Sequence, residues 1–282
     1  MKNALLTLDL GNTALSGAVW KDGRLSRPWF IKIARGPFPR RLGTWLRDLK
    51  RKEEIGDVIL ASVVPSRDGV IARLCRQVLG VRCRLLQDHL PPELVIRYRR
   101  PENVGADRLA NAIGAYCVYG APAIIVDFGT AITFDVISRK FEYLGGVIAP
   151  GLQISTEALF QRTALLPTVE IALPERVLGQ DTVSAIRAGV YYGTLGLVER
   201  VARELKKELG WGRETRLIAT GGQARLILSR SRLIRRIDPY LTLKGLYIAA
   251  TGDRSPRPGP LFNRESREST RITNAKRIAH SA

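Results

Sequence analysis

Histidine is nearly absent from this 282-residue chain, with His89 and His280 as its two examples. A histidine metal cluster is thereby excluded. A Ser-His-Asp triad is disfavoured, because His89 sits in a proline-rich loop, Asp88-His89-Leu90-Pro91-Pro92, and His280 in the C-terminal tail. Three cysteines, Cys75, Cys83 and Cys117, form no CxxC pair. They read as buried or half-buried thiols in a reducing cytosol. No apolar run approaches membrane-spanning length. The start, Met1-Lys2-Asn3-Ala4-Leu5-Leu6, meets Asp9 too early for a signal-peptide core. A cytoplasmic protein without a membrane partner is therefore expected. Neither G-x-x-x-x-G-K-[ST] nor G-x-G-x-x-G occurs, so any nucleotide phosphates are held by something other than a P-loop or Rossmann turn.

Acidic residues are also scarce. The chain has 26 against 45 basic ones, a net charge of +19. Such a balance favours anionic partners. The basic residues are spread along the whole chain, however, without interleaved aromatics and without a helix-turn-helix, finger or RNP pattern. The charge is read as general surface composition. Weak non-specific polyanion binding follows from it, and no specific nucleic acid is expected.

What is present is organised around Ile124-Ile125-Val126-Asp127-Phe128-Gly129-Thr130-Ala131-Ile132-Thr133-Phe134-Asp135-Val136. It reads as an apolar strand, an acidic-glycine turn and a second strand. Near the N-terminus the same design recurs in Leu5-Leu6-Thr7-Leu8-Asp9-Leu10-Gly11-Asn12-Thr13, followed by a strand from Ala14 to Trp20. One such turn is an ordinary hairpin signal. Two in matching positions, each followed by Thr, point to a duplicated domain with a cleft between the copies. Their turn N–H groups suit an anion, and their carboxylates suit cations that neutralise phosphate charge.

The remaining pattern is α/β. Residues 4–34 read as a meander with a Lys21-Asp22-Gly23 turn. Leu42, Trp45, Leu46 and Leu49 have helical spacing, and Val58–Val64 reads as a buried parallel strand ended by Pro65. A helix over Val70–Leu79 and a strand over Val81–Leu86 follow. Gly105-Ala106-Asp107-Arg108 lies at a helix start, where Asp107 either complements the macrodipole or acts chemically. In Tyr143–Gly151, glycines on both sides of an apolar strand suggest backbone against ligand or neighbouring backbone. Thr182 opens a long helix to about Leu209, as its N-cap or as a site residue. Gly189, Gly193 and Gly196 line one face of that helix. From Gly252, Pro, Ser and Arg dominate, and a disordered basic tail is expected.

The succession DLGNT (9–13), NVGADR (103–108), DFGTA (127–131), YLGGVIAPG (143–151), GQDT (179–182), TGG (220–222) and DPYLTLKGL (238–246) resembles type III pantothenate kinase. It covers nearly the whole chain up to about residue 250. The resemblance implies the actin-like, sugar-kinase fold: duplicated ribonuclease-H-like domains, here 1–118 and 119–251 with 252–282 as tail, and a nucleotide cleft between them. It implies transfer of the ATP γ-phosphate to pantothenate, giving 4′-phosphopantothenate, the first step of coenzyme A synthesis. Magnesium, a monovalent cation (potassium or ammonium) and a homodimer come with it.

By position, the turn Asp9, Leu10, Gly11, Asn12, Thr13, Ala14, Leu15 and Ser16 is implied to hold ATP phosphates. Asp9 faces magnesium through water, Thr130 contacts ATP and Asp127 binds the monovalent cation. Tyr98, Gly105, Ala106, Asp107, Arg108 and Thr182 are implied to line the pantothenate site, Thr182 in the neighbouring subunit's site. Asp107 is the implied proton acceptor. This chain has Gln180-Asp181 where members of the family often have Lys-Asn. Three rival readings are a regulatory homologue related to transcription accessory factors, a superfamily kinase with a sugar or acetate acceptor, and a nucleic-acid binder. The three retained carboxylates and the NVGADR segment weigh against the first two.

Overall fold

A computed structural model describes residues 3–33 and 37–255. All but residues 252–255 of the expected basic tail lies outside the described residues. The described residues form two compact units, one of those up to His89 together with those from Leu246 on, the other Leu90–Gly245.

The first unit runs β1 (Ala4–Leu10), β2 (Ala14–Lys21), β3 (Arg24–Lys32), α1 (Phe38–Lys50), β4 (Ile55–Ser62), α2 (Pro65–Leu74) and β5 (Cys83–Leu85). Its sheet order is β3-β2-β1-β4-β5. The β1–β2 and β2–β3 pairs are antiparallel, and β1–β4 and β4–β5 are parallel. Asp22 and Gly23 both have positive φ in the β2–β3 turn, which suits the right-handed twist of a two-residue hairpin. β3 starts directly after that turn, at Arg24. It carries Pro28 at the sheet edge, where register breaks opposite Gly17–Val19 and a missing N–H costs no ladder bond.

Leu42, Leu46 and Leu49 of α1 pack with Leu6, Leu8 and Leu10 of β1 in one apolar core. α2 begins at Pro65 itself, five residues ahead of the sequence expectation. Proline at the first helical position loses only an N–H that has no intrahelical partner. A π-turn, Cys75–Leu79, continues it to Gly80, whose φ of 79° ends the run.

The second unit runs β6 (Val95–Ile96), α3 (Ala106–Tyr119), β7 (Ala123–Phe128), β8 (Ala131–Ile137), β9 (Glu142–Pro150), α4 (Leu152–Arg162), α5 (Thr182–Glu208), β10 (Arg216–Thr220), α6 (Ala224–Ile227), β11 (Arg236–Ile237) and α7 (Leu241–Thr251). Residues of α7 from Leu246 on count with the first unit. The sheet order is β11-β10-β7-β8-β9-β6. Apart from the extra edge strand β6, both sheets have the same order: third, second, first, fourth, fifth. Their pair directions also match. The duplication inferred from two turns is a duplication of whole sheets.

The units divide at 89/90 rather than at the expected 118/119. α3 packs on β7 and β8, and β6 pairs with β9, so both belong with the second sheet. Strand alternation decides which residues meet α3. Ile124, Val126, Phe128 and Phe134 share a core with Tyr191 and Val198 of α5. Ile125, Asp127, Thr133 and Asp135 occupy the opposite strand positions. The sheet face toward α3 is therefore the acidic one.

α3 crosses the start of α7 at glycine. A Cβ on Gly114 would fall 2.7 Å from the Leu241 carbonyl oxygen, and one on Gly245 would collide with the Ala110 carbonyl. Beside this crossing, Lys244 Nζ and the Tyr119 hydroxyl each donate to Asp238 Oδ2 at 2.7 Å. The DPYLTLKGL motif is thus the dock that fixes α7 on α3. Gly245→Val is expected to destabilise by about 1–3 kcal/mol through overpacking. That corresponds to a fall in Tm of several degrees, readable by calorimetry, whereas Gly69→Ala on α2, which meets no neighbour, leaves Tm near that of the wild type.

Candidate active site

The two acidic turns are built alike. Asp9 and Asp127 are each the next-to-last residue of a first strand, opposite Ser16 and Thr133. The glycine that follows donates its N–H back to the start of the return strand, Gly11 to Ala14 O at 3.0 Å and Gly129 to Ala131 O at 3.1 Å. Asn12 and Thr13 are exposed in the first turn, and Gly129 in the second, with Thr130 half-buried. In the first unit the residues Asp9 to Ser16 form the end of β1, the turn and the start of β2. The other candidate residues lie in the second unit.

There, α3 and the sheet gather three carboxylates. Arg108 is 6% exposed and Asp135 0%. Arg108 Nε donates to Asp135 Oδ1 at 2.7 Å, and Nη2 donates to Phe134 O at 3.2 Å. The Tyr143 hydroxyl gives Asp135 Oδ1 a second bond at 2.8 Å. Gly146 makes room for this. A Cβ there would fall 2.7 Å from Arg108 Nη2 and collide with Phe134 O. The neighbouring-backbone reading of Gly146 therefore holds. Tyr98, 37% exposed, lies over Gly145, whose φ is +120°.

Arg108 is thus tied inside the unit, by Asp135 and the Phe134 carbonyl. What it does is fix the first turn of α3, where Asp107 is half-buried. The Asp107 Oδ1 accepts from the Arg108 N–H at 2.8 Å. Burial pushes the Asp107 carboxyl above the ordinary carboxylate range, against the opposing pull of the Arg108 N–H and charge. Burial likewise pushes Asp127 up to about 7, with the Asn111 hydrogen bond opposing and Asp107 and Asp135 adding repulsion. Asp135 rises to about 6 through burial, opposed by Arg108 and Tyr143. The shared repulsion places Asp107, Asp127 and Asp135 in one electrostatic cluster.

Thr182 is exposed as the first residue of α5. The cap is Asp181, which accepts from the Ser184 N–H at 2.9 Å while Ser184 Oγ accepts from the Asp181 N–H. Asp181 therefore has a local role as capping box. Thr182 shares no hydrogen bond or ion pair with the carboxylate cluster among the described residues.

Four cluster residues had no assigned role in the sequence reading: Asn111, Asp135, Tyr143 and Thr242. A signal existed for two. Asn111 stands four residues after Asp107, on the same helix face. Asp135 is an acid at an inward strand position between Phe134 and Val136. Tyr143 and Thr242 stood in the YLGGVIAPG and DPYLTLKGL motifs, but nothing local named their partners, which lie 8 and 131 residues away.

Asp135→Asn is expected to cost about 3–5 kcal/mol, because it leaves the Arg108 charge buried without a counter-charge. The double change Arg108→Met with Asp135→Leu removes both charges and is expected to recover most of that loss in a denaturant titration.

Among the described residues no group of three His, Cys, Asp or Glu is placed to hold a metal ion. No helix of the described residues is long and apolar enough to cross a membrane. The model of the family Type III pantothenate kinase matches residues 5–204. A relative from Geotalea uraniireducens (strain Rf4), named type III pantothenate kinase, is 41% identical over 250 residues, 86% of this chain and 96% of its own. Among solved structures, a conserved Campylobacter jejuni protein described as a candidate Baf family transcriptional activator aligns with TM-score 0.57 at 19% identity, over 88% of this chain and 98% of its own. Component A of (R)-2-hydroxyglutaryl-CoA dehydratase from Acidaminococcus fermentans aligns with TM-score 0.53 at 12% identity, over 90% and 98%. These two likenesses show the fold alone, and so the rival regulatory reading gains nothing from the first. The α/β fold of two like-ordered sheets is that of the actin-like, sugar-kinase group, and by family model and close relative the chain belongs to the type III pantothenate kinases.

Proposed function

We infer that this chain phosphorylates the primary hydroxyl of pantothenate with ATP, giving 4′-phosphopantothenate and ADP, the first step of coenzyme A synthesis. The observation that carries the reading is the retention of Asp9, Asp107 and Asp127 at two matching strand-end turns and one helix start. In the proposal, the N–H groups and Thr13 of the turn Asp9–Ser16 hold ATP phosphates, and Thr130 contacts ATP. The chemistry is positioning more than bond-making. In a loose phosphoryl-transfer transition state the attacking hydroxyl needs little deprotonation early on. Asp107 orients the hydroxyl and takes its proton late.

The residues present fit the implied cations. Asp9 stands next to the end of β1, beside a turn whose Asn12 and Thr13 are exposed, which suits a magnesium that keeps most of its water and is held by phosphates. Asp127, next to the end of β7, lies beside two glycines, which suits coordination of a larger monovalent ion by backbone oxygens and one carboxylate oxygen. When bound, these ions neutralise phosphate charge. Gly105 and Ala106 shape the acceptor site with Tyr98, and Arg108 serves it by holding Asp107 rather than by contact.

We assign the working form as a cytoplasmic homodimer. Gly189, Gly193 and Gly196 on α5 meet no neighbour, and Leu197 on the same helix is exposed, as are Ile154 and Phe160 on α4. A second copy on this face buries them and lets Thr182 serve the partner's acceptor site. Gly193→Arg is expected to shift the protein from dimer to monomer in sedimentation, with pantothenate affinity lost alongside.

Pantothenate-dependent ADP release with ATP and magnesium is the direct test. Asp107→Asn is expected to lower kcat by about 10²–10⁴-fold with ATP binding near normal. The sign of the pH effect follows from the raised carboxyl. The base works when ionised, so activity falls as pH drops through the Asp107 value, above the ordinary ~3.9 of aspartate. That acidic limb is expected to vanish from the kcat profile of Asp107→Asn. Near-normal turnover in this variant would overturn the assignment.

A further inference from the structure

Asn111 is fully buried, at 0% exposure, in the middle of a helix whose buried neighbours are otherwise mostly alanine, leucine and isoleucine. An amide there carries a desolvation cost unless both of its ends are bonded. Both are. Its Nδ2 donates to Asp127 Oδ2 at 2.9 Å, and its Oδ1 accepts from the Thr242 hydroxyl at 2.8 Å. The carboxylate fixes which way the amide faces, because the flipped amide would set oxygen against oxygen. Thr242, in the first turn of α7, then holds that orientation, and α7 is docked on α3 at the Gly114–Leu241 and Gly245–Ala110 crossings.

The two oxygens of Asp127 are thereby divided. Oδ2 is held by Asn111. Oδ1 lies on the side of Gly129 and Gly221, where Cβ atoms would fall 3.8 Å and 2.5 Å from it. Gly221 has φ +88° and brings the end of β10 close to the turn after β7. Without side chains of their own, these glycines let backbone come close to that carboxylate oxygen.

We propose that Asn111, oriented by Thr242, is a positioning residue that aims Asp127 Oδ1 at the monovalent cation of the kinase site. The inference rests on the reading that Asp127 holds that cation. Asn111 touches neither substrate nor ion and acts through Asp127. Partners of this kind commonly change metal affinity by about 10–100-fold when removed.

The experiment compares wild type, Asn111→Ala and Thr242→Val in potassium chloride against choline chloride at constant ionic strength. It reads both the thermal midpoint and the potassium concentration for half-maximal activity. Wild type is expected to be stabilised by potassium. In Asn111→Ala that stabilisation is lost, and the half-activating concentration rises about 10-fold or more, while KM for pantothenate at saturating potassium stays near normal. Thr242→Val, close in shape and lacking only the hydroxyl, shifts both readouts the same way by less. Should Asn111→Ala fail to fold, Thr242→Val decides. Variants that keep the wild-type potassium response overturn the proposal. A wild type whose midpoint and activity ignore potassium overturns the cation reading itself, and this proposal with it.

Discussion

The second unit depends on one buried ion pair, Arg108 with Asp135. Both charges are out of water, and such a pair is no source of large net stability, since desolvation offsets most of the attraction. Its effect is positional. With the guanidinium tied to Asp135 and to the Phe134 carbonyl, the first turn of α3 cannot slide or rotate against β8 without exposing an unpaired charge to the protein interior. Asp107 is the adjacent residue, so the carboxyl assigned to the chemistry inherits that rigidity. Gly146 completes the arrangement by giving the guanidinium a path across β9.

The same face of the sheet concentrates acid. Asp127 and Asp135 stand on neighbouring strands toward α3, with Asp107 at its start, and their mutual repulsion adds to burial in raising the carboxyls. One arginine answers for one of them. The remaining negative charge suits a site that works with cations and an anionic nucleotide, in which bound positive charge completes the balance.

Duplication explains the economy of the design. Two sheets of equal order each end their first strand in an aspartate and a glycine turn. The copies then diverged. In the first, the turn is longer and polar, Gly11-Asn12-Thr13. In the second it is Gly129-Thr130, with Gly221 from β10 alongside. One way of placing backbone N–H groups and a carboxylate together is used twice.

By itself the sequence determined the local elements that strong patterns dictate: the acidic turns, the α/β alternation, the start of α3 and the run of α5. It also determined the family, since seven short motifs in fixed order are legible without a structure. Glycine and aspartate carried that information because their turn geometry is nearly context-free. Tertiary structure alone decided where the units divide, that Arg108 turns inward, and that Asn111 is held between Asp127 and Thr242. Each outcome depends on partners distant in the chain: α3 on β7 and β8, Arg108 on Asp135, Asn111 on Thr242. Spacing within one segment reports which face a residue occupies. Which charge or amide waits on the facing element is set by how the segments pack.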